Sequence, residues 1–193
     1  MMLAKLLLYL CVGLIAIVDI VLFIRLIEFM ACVLIMRQTP LAPSCAPLRR
    51  AVVDVVRGDY PHARTVCEIG AGYGGLGRAI ARATRTNVTE IENMPVAALV
   101  GWIRNMFCAR VRMVWADAFR CLDSESQTFD VAVTYLGPEF VTKLMAYRGR
   151  FRVLISLDFP AMGVSPTRVI DVGYGYTRYW GHKYPHRLYV YEF

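Results

Sequence analysis

The chain has 193 residues, with 22 lysines and arginines against 15 acidic residues and a net charge of +7. Apolar residues make up 57% of the sequence and charged residues 19%, which excludes intrinsic disorder as its main state. The six cysteines include no Cys-x-x-Cys pair, so neither a disulfide framework nor a zinc knuckle is indicated and a reducing compartment is expected. Pro185 lies between His182 and His186 and disrupts the helix that would bring both imidazoles to one face, so no metal site is predicted.

Residues 6–24 form an apolar stretch in which Asp19 is the only charged residue. A helix of this length rises about 30 Å, the thickness of a bilayer core, which predicts an uncleaved membrane anchor over residues 1–37. Lys5 is the only basic side chain before the stretch and every arginine follows it, so we expect a single-pass membrane protein with its larger part on the cytoplasmic or matrix side and lipid as a partner. Asp19, Arg25 and Glu28 leave a membrane-surface helix or a re-entrant hairpin as alternatives.

Pro40 and Pro43 mark the end of this segment. We expect residues 38–59 to hold a linker and one helix that precedes the domain, and residues 60–193 to form the domain itself. Strands are predicted from short apolar runs at residues 65–69, 87–91, 111–115, 129–135, 152–157, 167–172 and 187–193. Helices are predicted between the first five strands at residues 76–84, 95–108 and 140–148.

This alternation predicts an α/β fold with a doubly wound, mostly parallel sheet of seven strands. The last two predicted strands have no long helix between them, so they are expected to form an antiparallel hairpin that reverses the last strand. A hydrophobic helix precedes the domain. Ligands of such sheets bind at the carboxyl ends of the strands, near the point where the strand order reverses.

A glycine-rich turn links the first predicted strand to the next helix and reads E-I-G-A-G-Y-G-G-L-G from Glu68 to Gly77. Glycines allow a tight turn and a close approach of the backbone to a ligand, and the following helix offers free N–H groups. The turn fits the dinucleotide pattern G-x-G-x-x-G, and Glu92 fits the acid that binds a ribose diol. Glu68 and Asp117 instead suit the amino-acid and adenine parts of S-adenosylmethionine.

These acids and glycines together resemble the motifs of the class I S-adenosylmethionine-dependent methyltransferases. The resemblance covers about residues 60–193 and implies a Rossmann-like methyltransferase domain with S-adenosyl-L-methionine as its cofactor. It implies that the methionine moiety is bordered by Glu68, Gly70, Gly72 and Gly74. It also implies that Glu92 binds the ribose and that Asp117 and Ala118 border the adenine. Ala71 and Asn93 are assigned to the same site.

Four further segments resemble a narrower family. They read T-P-L-A-P-S at residues 39–44, I-E-N-M-P-V at 91–96, Y-L-G-P-E at 135–139 and S-L-D-F-P at 156–160. They are similar to the small membrane-anchored protein lysine methyltransferases, the relatives of enzymes that modify the ATP synthase c-subunit and the adenine nucleotide translocase. This resemblance implies a membrane-tethered enzyme that methylates lysine side chains of a membrane-associated protein.

Tyr135, Glu139 and Asp158 are the candidate catalytic residues, because they follow the fourth and fifth strands at the usual edge of a cofactor pocket. Core packing of Tyr135 and a helix-start role of Glu139 are the alternatives. RNA, lipid or a small molecule as the methyl acceptor stays open, as does a noncatalytic scaffold that binds an adenosyl ligand. The tyrosines at 174–191 suit RNA stacking, but packing of this hairpin on the sheet is favoured and nucleic acid is not the expected partner.

Overall fold

The computed structural model describes residues 2–30, 44–124, 127–176 and 183–193. The chain divides into two units, Met1–Pro40 and Leu41–Phe193. This division lies between Pro40 and Pro43. The predicted linker at residues 38–43 and the end of the predicted anchor at residues 31–37 lie outside the described residues.

The first unit contains helix α1 (Met2–Met30), whose described side chains are exposed. Within the described residues, no helix combines the length and the apolarity that crossing a membrane requires. The prediction of a single-pass membrane protein is therefore wrong. The sequence of α1 includes Asp19, Arg25 and Glu28, and a charge at the centre of a bilayer costs about 2.5–3.5 kcal/mol.

The second unit is a seven-stranded sheet with helices on both faces. Its strands are β1 (Thr65–Ile69), β2 (Asn87–Glu92), β3 (Val111–Trp115), β4 (Phe129–Thr134), β5 (Phe151–Leu157), β6 (Arg168–Tyr176) and β7 (Lys183–Glu192). Its helices are α2 (Ala46–Asp59), α3 (Gly75–Thr84), α4 (Pro95–Asn105), α5 (Ala118–Ser124) and α6 (Pro138–Leu144). The short helix α5 is absent from the sequence-based prediction, and β6 and β7 are longer than predicted.

The strand order is β3-β2-β1-β4-β5-β7-β6. Strands β1 to β5 are parallel, whereas β7 runs antiparallel to both β5 and β6. The prediction of a mostly parallel, doubly wound sheet of seven strands with a reversed last strand is confirmed. The order reverses between β1 and β4, which are neighbours in the sheet but not in the chain.

Apolar side chains of the central strands pack on both faces of the sheet. Val66 of β1 lies in the cluster that contains α2 and α3 side chains, whereas its neighbour Cys67 lies in the cluster that contains α5 and α6 side chains. The two clusters alternate in this way because successive side chains of a strand point to opposite faces. Helices therefore cover both faces, as parallel sheets require.

Candidate active site

The glycine turn begins where β1 ends, beside the point at which the strand order reverses. Gly70, Gly72 and Gly74 all have positive φ, at 75°, 56° and 66°. The N–H groups of Gly70 and Ala71 donate to the carbonyl oxygen of Ile91 at 2.9 and 3.1 Å, which ties the turn to the end of β2. The amino terminus of α3 therefore lies at the carboxyl edge of the sheet, where its free N–H groups favour an anionic group.

Glu92 is the last residue of β2 and its side chain is buried under the turn. Its Oε2 accepts a hydrogen bond from the N–H of Gly72 at 2.7 Å, and its Oε1 accepts one from the N–H of Met94 at 2.9 Å. Both carboxylate oxygens of Glu92 therefore hold backbone N–H groups at this edge. Glu92 thus lies at the carboxyl end of β2, as expected for an acid that binds a ribose diol, and the contact itself stays a prediction.

Glu68 in β1 points beneath the first turn of α3. Its Oε2 accepts a hydrogen bond from the N–H of Gly77 at 2.6 Å. Burial, together with the nearby carboxylate of Glu90, raises the pKa of Glu68 well above its usual value. In this position Glu68 holds the start of α3, and its contact with the methionine moiety of a cofactor stays a prediction.

Glu90 is a second buried acid that the sequence analysis missed. It pairs with Glu68 in the register of β1 and β2, so both carboxyl groups lie on the same face of the sheet. Its Oε2 accepts a hydrogen bond from Asn105 Nδ2 at 2.7 Å, and burial raises its pKa to about 7. The sequence signal for a buried Glu90 was its position two residues after the apolar Val88, because alternate residues of a strand lie on the same face of the sheet.

The ends of β2 and β3 also come together at this edge. The N–H of Ala116 donates to the Glu92 carbonyl oxygen at 3.0 Å, and the indole N–H of Trp115 donates to the Asn93 carbonyl oxygen at 3.1 Å. Asp117 follows directly, and its Oδ1 accepts the N–H of Arg120 at 3.0 Å at the start of α5. The structure thus brings the predicted ribose and adenine residues to adjacent strand ends.

A second cluster lies at the carboxyl ends of β4 and β5. The hydroxyl of Tyr135 donates to Asp158 Oδ2 at 3.0 Å, so two of the three candidate catalytic residues are in contact. Asp158 has φ 61°, in the left-handed region that a non-glycine residue rarely adopts. Strained backbone of this kind concentrates at functional sites. Tyr135 also stacks on Phe159, with ring centroids 6.0 Å apart.

His186 completes this second cluster. Its Nδ1 lies 2.8 Å from Asp158 Oδ2, the N–H of Arg187 donates to Asp158 Oδ1 at 3.0 Å, and Cys45 Sγ lies 3.4 Å from His186 Nε2. When Nδ1 carries the proton, the imidazole donates to Asp158 and its Nε2 accepts from the thiol. Sequence spacing gives no signal for this group, because Cys45 and His186 are 141 residues apart.

Glu139, the third candidate catalytic residue, is exposed in the first turn of α6. The helix dipole favours a carboxylate at that position, which agrees with the structural alternative for this residue. Its predicted contact with a methyl acceptor stays a prediction.

Comparison with known proteins gives a fold and no closer relationship. The sequence matches no family model, and no curated protein matches it. Solved structures do match, among them an RNA methyltransferase from Salinibacter ruber in complex with S-adenosyl-L-homocysteine. That match has a TM-score of 0.62 and 19% sequence identity, and it covers 78% of this chain and 92% of the other. The fold is that of the class I S-adenosylmethionine-dependent methyltransferases.

Two further matches show the same methyltransferase fold. An O-methyltransferase from Bacillus cereus in complex with S-adenosyl-L-homocysteine aligns with a TM-score of 0.54 and 17% identity, covering 62% of this chain and 59% of the other. A methyltransferase from Agrobacterium tumefaciens that depends on S-adenosylmethionine aligns with a TM-score of 0.57 and 12% identity, covering 77% of this chain and 63% of the other. The prediction of a Rossmann-like methyltransferase domain is confirmed at the level of the fold.

Proposed function

We propose that this protein is an S-adenosylmethionine-dependent methyltransferase that transfers a methyl group to lysine side chains of a protein. The observation that carries the proposal is the hydrogen bond from the Gly72 N–H to Glu92 at 2.7 Å. It joins the glycine turn to the acid of the neighbouring strand at the edge where sheets of this kind bind their ligands. The methyltransferase structures with the same fold and a bound S-adenosyl-L-homocysteine support the choice of cofactor.

The residues of the turn fit such a cofactor. Gly70, Gly72 and Gly74 have positive φ, which lets the chain turn tightly from β1 into α3 and brings the N-terminus of α3 to this edge. Glu92 and Asp117 lie at adjacent strand ends, with carboxylates that accept hydrogen bonds from a ribose diol and an adenine amino group. When bound, the cofactor supplies a methyl group on a positively charged sulfur.

The cluster at the ends of β4 and β5 fits a lysine acceptor. An ammonium group has to lose a proton before its nitrogen attacks, and the usual pKa of lysine is about 10.4. The Tyr135 hydroxyl donates to Asp158, which fixes its phenol at the strand end where a lysine amine would be oriented. Asp158, held by the backbone N–H of Arg187, keeps this phenol in place. Orientation and exclusion of water then accelerate an in-line transfer.

RNA is the second candidate acceptor, because one of the structures with the same fold is an RNA methyltransferase. The tyrosine-rich hairpin gives this candidate limited support. Tyr191 is buried and its hydroxyl accepts the N–H of Ala161 at 2.8 Å, whereas Tyr174 is exposed. Tyr191 therefore packs in the core, as the packing alternative for this hairpin predicts, and we place lysine first.

Calorimetric titration of the full chain with S-adenosylmethionine, and separately with NADH, tests the cofactor. Micromolar binding of S-adenosylmethionine alone supports the proposal, whereas binding of NADH alone would overturn it. For the acceptor, the full chain is incubated with tritiated S-adenosylmethionine and either a cell-protein extract or total RNA. Label recovered as methyllysine after acid hydrolysis supports the lysine acceptor, and label confined to nucleosides would replace it with RNA.

A further inference from the structure

Helix α4 packs on the sheet through its small residues. Its buried positions are Ala97, Ala98, Gly101 and Asn105. A Cβ atom at Gly101 would lie 2.2 Å from the Cε of Met113 in β3, so the helix lies close against this edge of the sheet. The large apolar residues of α4 therefore do not contribute to the core of the domain.

The large apolar residues of α4 and of the turn after it are exposed instead. Leu99, Trp102, Ile103 and Met106 follow the spacing i, i+3, i+4 and i+7, which places them on one side of the helix, and Leu99 and Trp102 are each 55% exposed. Phe107, which follows directly, is 91% exposed. A surface helix normally turns this side toward the core, so α4 presents a contiguous apolar stripe to its surroundings.

The exposed charged residues of the segment that contains this stripe, residues 75–115, are all arginines. From residue 75 to residue 115 the chain has six arginines and no lysine, and its acids are Glu90 and Glu92, which are both buried. Arg104, Arg110 and Arg112 are exposed on α4, on the following turn and on the edge strand β3. Arg110 donates to a backbone carbonyl, that of Arg85, at 2.9 Å. The surface is therefore both apolar and cationic.

We propose that this surface docks an acidic amphipathic helix of a partner protein. The α4 docking face consists of Leu99, Trp102, Ile103, Met106 and Phe107, flanked by Arg104, Arg110 and Arg112. A partner helix that matches it carries apolar residues at the spacing i, i+3, i+4, i+7 and acidic residues beside them. Arginine suits this role because its planar guanidinium binds carboxylates through two parallel hydrogen bonds.

The aliphatic part of the stripe favours a protein partner over RNA. Single-stranded RNA is bound through stacking of its bases on aromatic rings and arginine planes. Leu99, Ile103 and Met106 offer no stacking surface, but they match the ridges of an apolar helix face. The docked partner would also be the methylated protein if the proposed function holds. The docking itself does not rest on the proposed function.

The test uses the full chain and a synthetic peptide as the probe. The peptide has about 18 residues, capped ends, a fluorescein label, leucines on one helical side and glutamates on the other. A matched peptide has lysine in place of every glutamate. We expect saturable binding of the acidic peptide by fluorescence anisotropy and at least about tenfold weaker binding of the lysine peptide, a difference that shrinks at high salt.

Two variants locate the binding. Trp102→Ser with Ile103→Ser, and separately Arg112→Glu, should each weaken the acidic peptide at least about fivefold. Val164→Ser and Arg57→Glu are the matched controls, since both residues are exposed and lie outside the docking face. Circular dichroism confirms that each variant is folded. Weakening by the controls to the same extent would overturn the proposal.

Two other results would also overturn it. One is a failure of the acidic peptide to bind saturably. The other is displacement of the peptide by an oligouridine RNA at the same concentration as the peptide, which would assign the surface to nucleic acid. The peptide assay contains no cofactor, so its outcome is independent of methyl transfer. A protein that binds the peptide but not S-adenosylmethionine would refute the proposed function and leave the docking face intact.

Discussion

Glu90 is a buried carboxyl group that makes the stability of the domain depend on pH. Its side chain is 0% exposed, and burial raises its pKa from 4.5 to about 7, against the opposing hydrogen bonds from Asn105 and the Arg78 backbone. The folded state therefore holds a proton that the unfolded state has released between about pH 4.5 and 7. The contribution of Glu90 to the free energy of unfolding is therefore highest below about pH 4.5. It falls between about pH 4.5 and about pH 7 and does not change further at higher pH.

The size of this effect follows from the two pKa values. At about 1.4 kcal/mol for each tenfold change, the difference between 4.5 and about 7 corresponds to about 3 kcal/mol. Glu90→Gln removes the ionisation but keeps an oxygen that accepts the hydrogen bond from Asn105. We therefore expect the variant to be up to about 3 kcal/mol more stable than the parent above about pH 8, and the two to converge near pH 4.5.

Urea unfolding of the full chain, followed by circular dichroism from about pH 5 to about pH 8, measures this difference. Asp54→Asn is a suitable control, because Asp54 is exposed in an ion pair with Arg57 and such pairs contribute about 0–1 kcal/mol. Its stability should follow the pH dependence of the parent. If Glu90→Gln kept the same slope with pH as the parent, Glu90 would not be the titrating group and the reasoning from burial would fail.

Three other changes test the site. Glu92→Ala should weaken S-adenosylmethionine by about 1.5–3 kcal/mol in a calorimetric titration, the range for hydrogen bonds to a charged group, and an unchanged affinity would remove Glu92 from the site. Gly77→Ala should lower the free energy of unfolding by about 1–3 kcal/mol in urea, because its Cβ would lie 2.3 Å from Glu90 Oε1; a neutral result would show that the two acids move freely. Tyr135→Phe should slow methyl transfer at saturating cofactor while leaving cofactor affinity unchanged, and equal loss of both would assign Tyr135 to cofactor binding instead.

The sheet was predictable because its strands carry local signals. Apolar runs separated by helical stretches predict the central strands to within one residue at most ends, as with β1 and β3. The hairpin strands β6 and β7 extend further than predicted, because residues 173–176 pair with residues 183–186 and neither segment has the apolar run that predicts a strand. Helix α5 was missed since its seven residues show no clear helical periodicity.

The candidate site was predictable only where chemistry follows a strand end. Glu92, Asp117 and Tyr135 occupy such positions, and the parallel sheet brings them to one edge. Glu90 lies inside β2, where the sequence gives no reason to expect a functional carboxylate. His186 contacts Asp158 only because β7 pairs with β5. Contacts of this second kind depend on the tertiary fold, so a single sequence does not reveal them.

Two buried acids hold the glycine turn and the start of α3 in place. Glu92 accepts the N–H of Gly72 from one strand, and Glu68 accepts the N–H of Gly77 from another. Buried backbone N–H groups require hydrogen-bond partners whether or not a ligand binds, and these two acids supply them. The spacing of acids and glycines therefore has a structural cause of its own. This explains why the glycines and Glu92 alone fit both a dinucleotide and S-adenosylmethionine, and why Glu68 and Asp117 were needed to favour the latter.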